Sequence, residues 1–286
     1  MTTYAKRKID VTINLGKGQF GDDKGEDVTL TGHKVSAQIS YSGGHAQGET
    51  HIKIYGLTLD MINQLTGTGP RAGETRRNTV MVAAGDEGGA MSTIFIGYIY
   101  KAFGNFSNIP DATLEIVALS AYHHAVRAVN ANSYAGPIDA AVVMAEFARV
   151  MGLGFEGNDV SVMLQNPYYH GTMLRQVKDC AKEAGIEFSI ELGKLAIWGR
   201  GKPRDLGDPV LISPETGMVG YPDYGSAGLT VTTLFNPAIV LARKVEIKSN
   251  LAAACGLWNA YVVTHSLESE TPNGQWFTQA SCVAFD

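Results

Sequence analysis

Apolar and polar residues alternate with a period of two through the first 120 positions. Ile9, Val11, Ile13 and Leu15 form one such series, Val35, Ala37, Ile39 and Tyr41 a second, and Thr50, Ile52 and Ile54 a third. Successive side chains of a strand point to opposite faces, so each series predicts a strand with one dry and one wet face. Thr58, followed by Leu59, Ile62 and Leu65 on one face and by Gly67, predicts a short threonine-capped helix closed by glycine. Strands resume at Thr79 to Ala84, Thr93 to Phe103 and Thr113 to Leu119. Their spacing, with Gly- and Pro-marked turns between them, is that of an antiparallel barrel or sandwich.

The period then changes. Pro137 suits a first helical position, and Ile138, Ala141, Val142, Ala145 and Ala148 recur at helical spacing as far as Gly152. Met144, Phe147 and Met151 widen the apolar side, while Asp139, Glu146 and Arg149 leave a narrow polar stripe. This helix is expected to be mostly covered. A second helix is expected from about Thr172 to Ala184, with Met173, Leu174, Val177, Cys180, Ala181 and Ala184 inward and Gly185 just past its end. Alternation returns at Ile186, Phe188, Ile190 and Leu192, and Gly193 with Lys194 is the expected turn into Leu195, Ile197 and Trp198. The stretch "GRGKPRDLGDP", Gly199 to Pro209, reads as a linker. Short strands punctuated by Gly, Asn and Pro follow it. The expected class is mainly β (α+β): an N-terminal β-barrel over residues 1–125, a central α/β domain over 126–200 and a C-terminal β-barrel over 201–286. The barrel strands are free to interleave across those boundaries.

Composition narrows the function. The chain has 286 residues, enough for two or three small domains with cores of their own. Glycine contributes 33 of them, without a repeat, which fits many tight turns. A net charge of -5 provides no basic field to hold nucleic acid by its phosphates, so no specific nucleic-acid binding is expected. Cys180, Cys255 and Cys282 are odd in number and widely spaced, which fits neither a disulfide framework nor a paired metal site and suggests a reducing place of synthesis. Lys6, Arg7 and Lys8 run directly into a strand rather than into the apolar core of a signal peptide. No apolar run approaches the ~20 residues that span a bilayer.

Motifs that could carry chemistry resolve into plainer readings. Gly16, Gly18 and Gly21 form a GxGxxG after a strand, but Asp22, Asp23, Lys24, Gly25, Glu26 and Asp27 follow where a dinucleotide site needs a helix start. A glycine hairpin loop is the expectation. His33, His45, His51, His123, His124, His170 and His265 show no ligand spacing, so packing or surface roles are expected. Adjacent His123 and His124 would face opposite sides in a strand. His45 and His51, with Glu49 between them, are the pair that retains a metal reading. No GxSxG elbow occurs, and "GSAG", Gly225 to Gly228, has its serine in the wrong place. Asp86, Glu87, Gly88 and Gly89 read as a hairpin tip, and Cys180 as a small core hydrophobe. Trp198, Trp258 and Trp276 lie in or beside strands, where core or interface roles are usual. No catalytic, cofactor-binding or metal-ligating residue is assigned, and no cofactor.

Three phrases of the last third, "ISPETGMVGYP" (Ile212 to Pro222), "LTVTTLFNPAIVLARKVEIKS" (Leu229 to Ser249) and "WNAYVVTHSLES" (Trp258 to Ser269), follow one another in a distinctive order. Earlier come "IFIGYIYKAFGNFSNIPDATLEIVALSAY" (Ile94 to Tyr122), with central Gly97 and with Pro110 and Asp111 in its loop, and the hairpin "IEFSIELGKLAIW" (Ile186 to Trp198). Together they resemble the baseplate hub proteins of contractile-tailed bacteriophages, a family related to the hub part of type VI secretion spikes and of pyocins. The resemblance rests above all on Pro214 with Gly217, Gly220 with Pro222, and Asn236 with Pro237. It implies a non-enzymatic homotrimer whose two tube-type barrels per subunit form a pseudo-sixfold ring, adapting the sixfold tail tube to the threefold central spike. It also implies part of a channel for genome delivery, a place in the virion baseplate and assembly in the bacterial host cytoplasm. The implied partners are further copies of the chain, the tail tube protein and the central spike protein, with other baseplate proteins and the tape measure as additional candidates. In a channel, acidic residues such as Asp22, Asp23, Glu26 and Asp27 would repel passing DNA; the plainer reading is that they solubilise a loop. Two alternatives stand beside the hub: another tube-like tail part, such as a distal tail or tube-initiator protein, and a β-rich cell-wall carbohydrate-active enzyme.

Overall fold

The alternation becomes strand register in a computed structural model, which describes residues 6–16, 25–43, 47–66, 78–107, 111–225 and 228–285. The first elements are β1 (Arg7–Asn14), β2 (Asp27–Leu30), β3 (Val35–Ser42), β4 (Glu49–Tyr55), α1 (Leu59–Leu65), β5 (Thr79–Asp86), β6 (Met91–Asn105) and β7 (Thr113–Leu119). There follow α2 (Tyr122–Val126), β8 (Ala128–Ser133), β9 (Pro137–Asp139), α3 (Ala140–Met151), β10 (Gly154–Glu156), β11 (Met163–Gln165) and β12 (Tyr168–Thr172). Next come α4 (Met173–Ala184), β13 (Ile186–Glu191) and β14 (Lys194–Gly199). The last are β15 (Val210–Ile212), β16 (Asp223–Gly225), β17 (Gly228–Leu234), β18 (Lys244–Ile247), β19 (Gly256–Ser269) and β20 (Trp276–Val283). The protein is mainly β with a few helices.

Two compact units share the chain. One takes Met1–Ser40, Glu49–Tyr122 and His265–Phe277, the other Tyr41–Gly48, His123–Thr264 and Thr278–Asp286. Strands β3, β19 and β20 each give residues to both.

In the first unit the strands run antiparallel in the order β3-β4-β7-β6-β5-β1-β2. Register places Val11 opposite Val82 and Ile52 opposite Ile116, so the dry faces coincide and these four side chains are buried. Irregularities in β6, opposite Val82/Ala83 of β5 and at Ile99/Lys101 against β7, bend this 15-residue strand. Arg7 of β1 donates to the Gly274 carbonyl at 3.0 Å, and its guanidinium lies 5.6 Å from the centre of the Trp276 ring. Lys6 pairs with Glu270. These contacts draw β1 onto the turn between β19 and β20, wrapping the sheet around its core.

In the second unit β15 pairs parallel with β18, β18 antiparallel with β19, and β17 with both β20 and β16. Ile212, Val231, Val245, Val263 and Ala280, one from each of five strands, meet in a single apolar cluster. The phrase "SPETG" closes this wrap. Ser213 caps a 3-10 turn over Pro214–Thr216 in a reciprocal capping box with Thr216, and Gly217 ends it at φ 103°. The chain then returns beside β17, with Val219 N donating to Thr232 O and Leu234 N to Gly217 O, both at 2.8 Å. Asn236 accepts the Ala238 N–H at 3.0 Å, the side-chain turn expected of Asn before Pro.

The remainder of this unit sets α3 and α4 against a small sheet in the order β10-β14-β13. Helix α4 forms as its sequence predicts: Thr172 accepts from Arg175 N, and Gly185 ends it in the left-handed conformation at φ 66°. Helix α3 departs from expectation. Pro137 lies in β9, and Asp139 is the cap, accepting the Ala141 N–H at 2.8 Å. Its covered face is Ala140, Val143, Met144, Phe147, Ala148 and Met151, while Val142 is 59% exposed. The bulk of Met144 and Phe147, not the run of small residues, decides which side turns inward. The β13–β14 turn is Leu192–Gly193, one residue earlier than expected, with both φ values positive (49° and 74°) as a two-residue type I′ turn requires. In α1, Thr58 caps and Ile62 and Leu65 are buried, whereas Leu59 is 60% exposed; Gly67 lies outside the described residues.

Gly97 and Gly228 stand at close approaches that a side chain would block. A Cβ on Gly97 would stand 2.7 Å from the Phe95 ring and 2.8 Å from the Leu119 carbonyl oxygen. At Gly228, φ is 153° and a Cβ would run into the Cys282 carbonyl. Gly97→Ala is expected to lower the urea midpoint, at a cost of about 1–3 kcal/mol. An unchanged midpoint would show that β6 and Phe95 can shift to make room.

Candidate functional site

Among the described residues the candidate chemical groups do not converge. Gly16 donates to Asn78 at 3.3 Å, and the chain after Gly25 enters β2 rather than a helix, so no helix N-terminus stands behind the glycine loop. Gly18, Gly21, Asp22, Asp23, Lys24, His45, Pro110 and Ser226 lie outside the described residues. His51 meets Glu49 at 2.9 Å on the surface, His33 lies 3.1 Å from the Tyr55 carbonyl, and His170 neighbours Tyr168. His123 and His124 fall in helix α2 rather than a strand, and their rings touch edge to face at 5.5 Å. Burial first, then His123, lowers His124 to about 4. His265 is 3% exposed, and burial lowers it to about 4. Among the described residues no three His, Cys, Asp or Glu side chains gather as a metal site.

The thiols are equally quiet. Burial raises Cys180 to about 11 and Cys282 to about 12, far from the thiolate a nucleophile needs. Exposed Cys255 donates to the Ser249 carbonyl at 3.1 Å. Asp86 to Gly89 form the expected hairpin tip, closed by the Gly89 N–H on the Asp86 carbonyl at 2.9 Å. Trp198 and Trp276 are buried, and Trp258 packs on the apolar cluster while donating to the Ala254 carbonyl at 2.9 Å.

A polar depression of about 200 Å³ on the first unit is lined by Lys34, Lys53, Tyr55, Asn105, Asp111, Thr113 and Glu115. Glu115 is held by Asn105 at 2.8 Å and lies 3.8 Å from Lys53. Two lysines beside its two acids, and no apolar wall, give it none of the features that hold a carboxylic acid protonated for glycoside cleavage.

The densest chemistry lies where the sequence suggested a linker. Arg204, 4% exposed, sends Nε and Nη2 to the two oxygens of Glu156 at 2.9 Å each. Its Nη1 donates to Glu191 and, at 3.2 Å, to the Leu241 carbonyl. Its backbone N–H donates to Ala242 at 2.8 Å, and Ala242 in turn donates to Ala260 of β19. Asp205 N donates to Asn158, which also binds Glu156 and the Ile197 carbonyl. The segment 199–209 is thus fastened to β10, β13 and β14 on one side and to the loop before β18 on the other. Sequence reading missed this cluster because a charged residue between Pro and Asp in a Gly-rich stretch looks solvated. Only the folded chain brings Glu156 and Glu191, 35 residues apart, onto one guanidinium.

The second unit also presents an apolar surface. Val219, Tyr221, Tyr224 and Leu234 are 41%, 67%, 52% and 47% exposed, and all four lie on the returning segment, on β16 or at the end of β17. Side chains of this type, aromatic above all, are enriched at protein interfaces.

The described residues form strand-built units with an α/β insertion, and no catalytic groups converge among them. Among solved structures the chain is similar to a tail protein from Neisseria meningitidis MC58 (TM-score 0.64, 8% identity, 96% of each chain covered). It is also similar to the 43 kDa tail protein of prophage MuSo2 from Shewanella oneidensis (0.60, 10% identity, 96% of each). A third is the E. coli c3393 protein, a component of the type VI secretion system with structural similarity to the T4 bacteriophage tail proteins gp27 and gp5 (0.60, 9% identity, 88% of this chain and 74% of that one). No curated protein sequence matches significantly. The family model for baseplate hub gp41 matches residues 8–280, and the chain belongs to that family. It is therefore a structural component of a phage tail baseplate, associated with the virion, and not an enzyme.

Two outcomes follow from the buried groups. Arg204→Met leaves Glu156 and Glu191 without their shared buried partner and is expected to cost about 3–5 kcal/mol in urea unfolding. Arg204→Lys, which keeps the charge but loses the fork, should fall between it and the native chain; a silent Arg204→Met would refute the structural role. For His265, the unfolded chain binds the proton more tightly than the folded one between pH 6.5 and about 4, so stability declines as pH falls through that window. From pH 7 to 5 this one group should remove up to about 2 kcal/mol, and His265→Gln should flatten the profile. A midpoint equally steep with pH in that variant would assign the effect to other groups.

Proposed function

We propose that this protein is the hub that adapts the sixfold tail tube to the threefold central spike, acting as a homotrimer and lining part of the channel through which the genome leaves. One observation carries the reading: a single polypeptide supplies two compact units, each with strands wrapped around an apolar core. A threefold assembly that meets six equivalent tube subunits needs two comparable surfaces from every chain. In this reading residues 1–125 and 201–286 supply the two tube-type barrels, with strands interleaving across those bounds, and residues 126–200 the α/β insertion. The tail tube protein seats on the ring of barrels and the spike protein below it, with other baseplate proteins and the tape measure as further neighbours. Assembly takes place in the host cytoplasm. The exposed side chains around Tyr221 and Leu234 suit a contact between subunits.

Sedimentation velocity of the purified chain at tens of micromolar is expected to give a species of three times the monomer mass, dissociating on dilution. A monomer or a hexamer at that concentration contradicts the proposal, the hexamer favouring a tube-initiator role.

A further inference from the structure

Arg204 carries one positive charge, and two carboxyl groups converge on it, that of Glu191 buried and that of Glu156 22% exposed. Glu156 occupies the planar fork of Nε and Nη2, the strongest geometry the guanidinium offers. Glu191 is left with Nη1, which it shares with the Leu241 carbonyl. Were both acids ionised, the site would hold a net negative charge with Glu191 and Arg204 each only 4% exposed. Buried sites resolve such an imbalance by keeping a proton. The groups that act on Glu191 are Arg204 from the linker, Glu156 from β10 and the Ser189 hydroxyl of β13, while burial and then Glu191 raise the phenol of Tyr41 in β3. No second cation is among them, and Lys194 of β14 acts on Glu156 instead. Burial, and then Glu156, hold Glu191 above the ordinary carboxylate range against the pull of Arg204. Glu156 moves the other way: burial opposes its charge, but hydrogen bonds from Arg204 and Asn158 prevail and lower it. The backbone around the cluster is held in a sparsely populated conformation, with φ of 42° at Asn158 and 58° at Ala242, so the seat is over-determined by its contacts.

We propose that Glu156, Arg204 and Glu191 form a proton-set latch on the segment 199–209, in which Glu191 keeps its proton while the segment is seated. Two arms follow. As pH rises, Glu191 loses the proton that seating favours, a net charge is buried, and the seat weakens. As pH falls below 4.5 and through the lowered value of Glu156, the fork loses its anion, and Arg204 is left buried with fewer partners. The latch therefore holds best between these limits. Loosening it frees the α/β strands β10, β13 and β14 from the Leu241–Ala242 loop without disturbing the apolar cluster of β15 to β20.

The full chain, labelled with 13C at glutamate carboxyls, provides the test, Glu191 being assigned by its absence in Glu191→Gln. Hydrogen-exchange protection factors at the Arg204 and Asp205 amides are followed from pH 4 to 9. The Glu191 carboxyl is expected to titrate above the ordinary range, and protection to fall at both ends, by up to about tenfold per pH unit where one proton is linked. Glu191→Gln should abolish the fall at high pH and leave the acid fall intact. A Glu191 carboxyl already ionised at pH 5, or a high-pH fall that survives in Glu191→Gln, overturns the proposal. Should that variant fail to fold, the native titration, with assignment from Glu191→Asp, decides alone.

Discussion

A sheet leaves unpaired N–H and C=O groups along its last strand, and the satisfaction of those edges is the constraint on which this structure depends. In the first unit β1 pairs with β5 on one side and β2 on the other, and the Arg7 and Lys6 side chains add contacts to the turn that joins β19 and β20. In the second, the segment after the Ser213 cap lies along β17 and takes up its free hydrogen-bonding groups at Thr232 and Leu234. Each unit is assembled from stretches distant in sequence, so the chain passes between the units repeatedly rather than finishing one and beginning the next. The glycines at positions 97 and 228 belong to the same economy of space, since each permits an approach that a side chain would block.

The parts legible in the sequence are those governed by short-range rules. The alternation at β1, β3 and β4 marked their buried faces correctly, because burial on one side of a strand leaves a direct trace in period two. Helix α4 was legible for the same reason: Thr172 and Gly185 are sufficient caps, and its inward residues repeat every three or four positions. Helix α3 was less so, because small residues recur on two of its sides and only packing chose between them. Three-residue strands such as β9, β10 and β11 leave too little pattern to read, and their existence depends on partners elsewhere in the chain.

The charge cluster was the largest omission, and its cause is physical. Arg204 is polar, follows a proline and sits among glycines, all marks of solvent exposure. Its burial is made possible by two acids contributed from separate strands. The histidines were expected to take packing or surface roles and Cys180 to act as a small core hydrophobe; Cys180 is buried. His265 is kept neutral by burial, and burial raises Cys180 and Cys282 away from reactivity. What distinguishes the molecule is how its surfaces are held, which accords with a structural baseplate family.

The central claim is that one chain presents two strand-built units so that three chains can meet a sixfold tube. A cryo-electron microscopy reconstruction of the intact baseplate at the tube end tests it most directly. The account predicts three copies, with the two units of each alternating around a six-part ring beneath the tube. Six copies, or three copies whose ring is made by one unit alone, would contradict it.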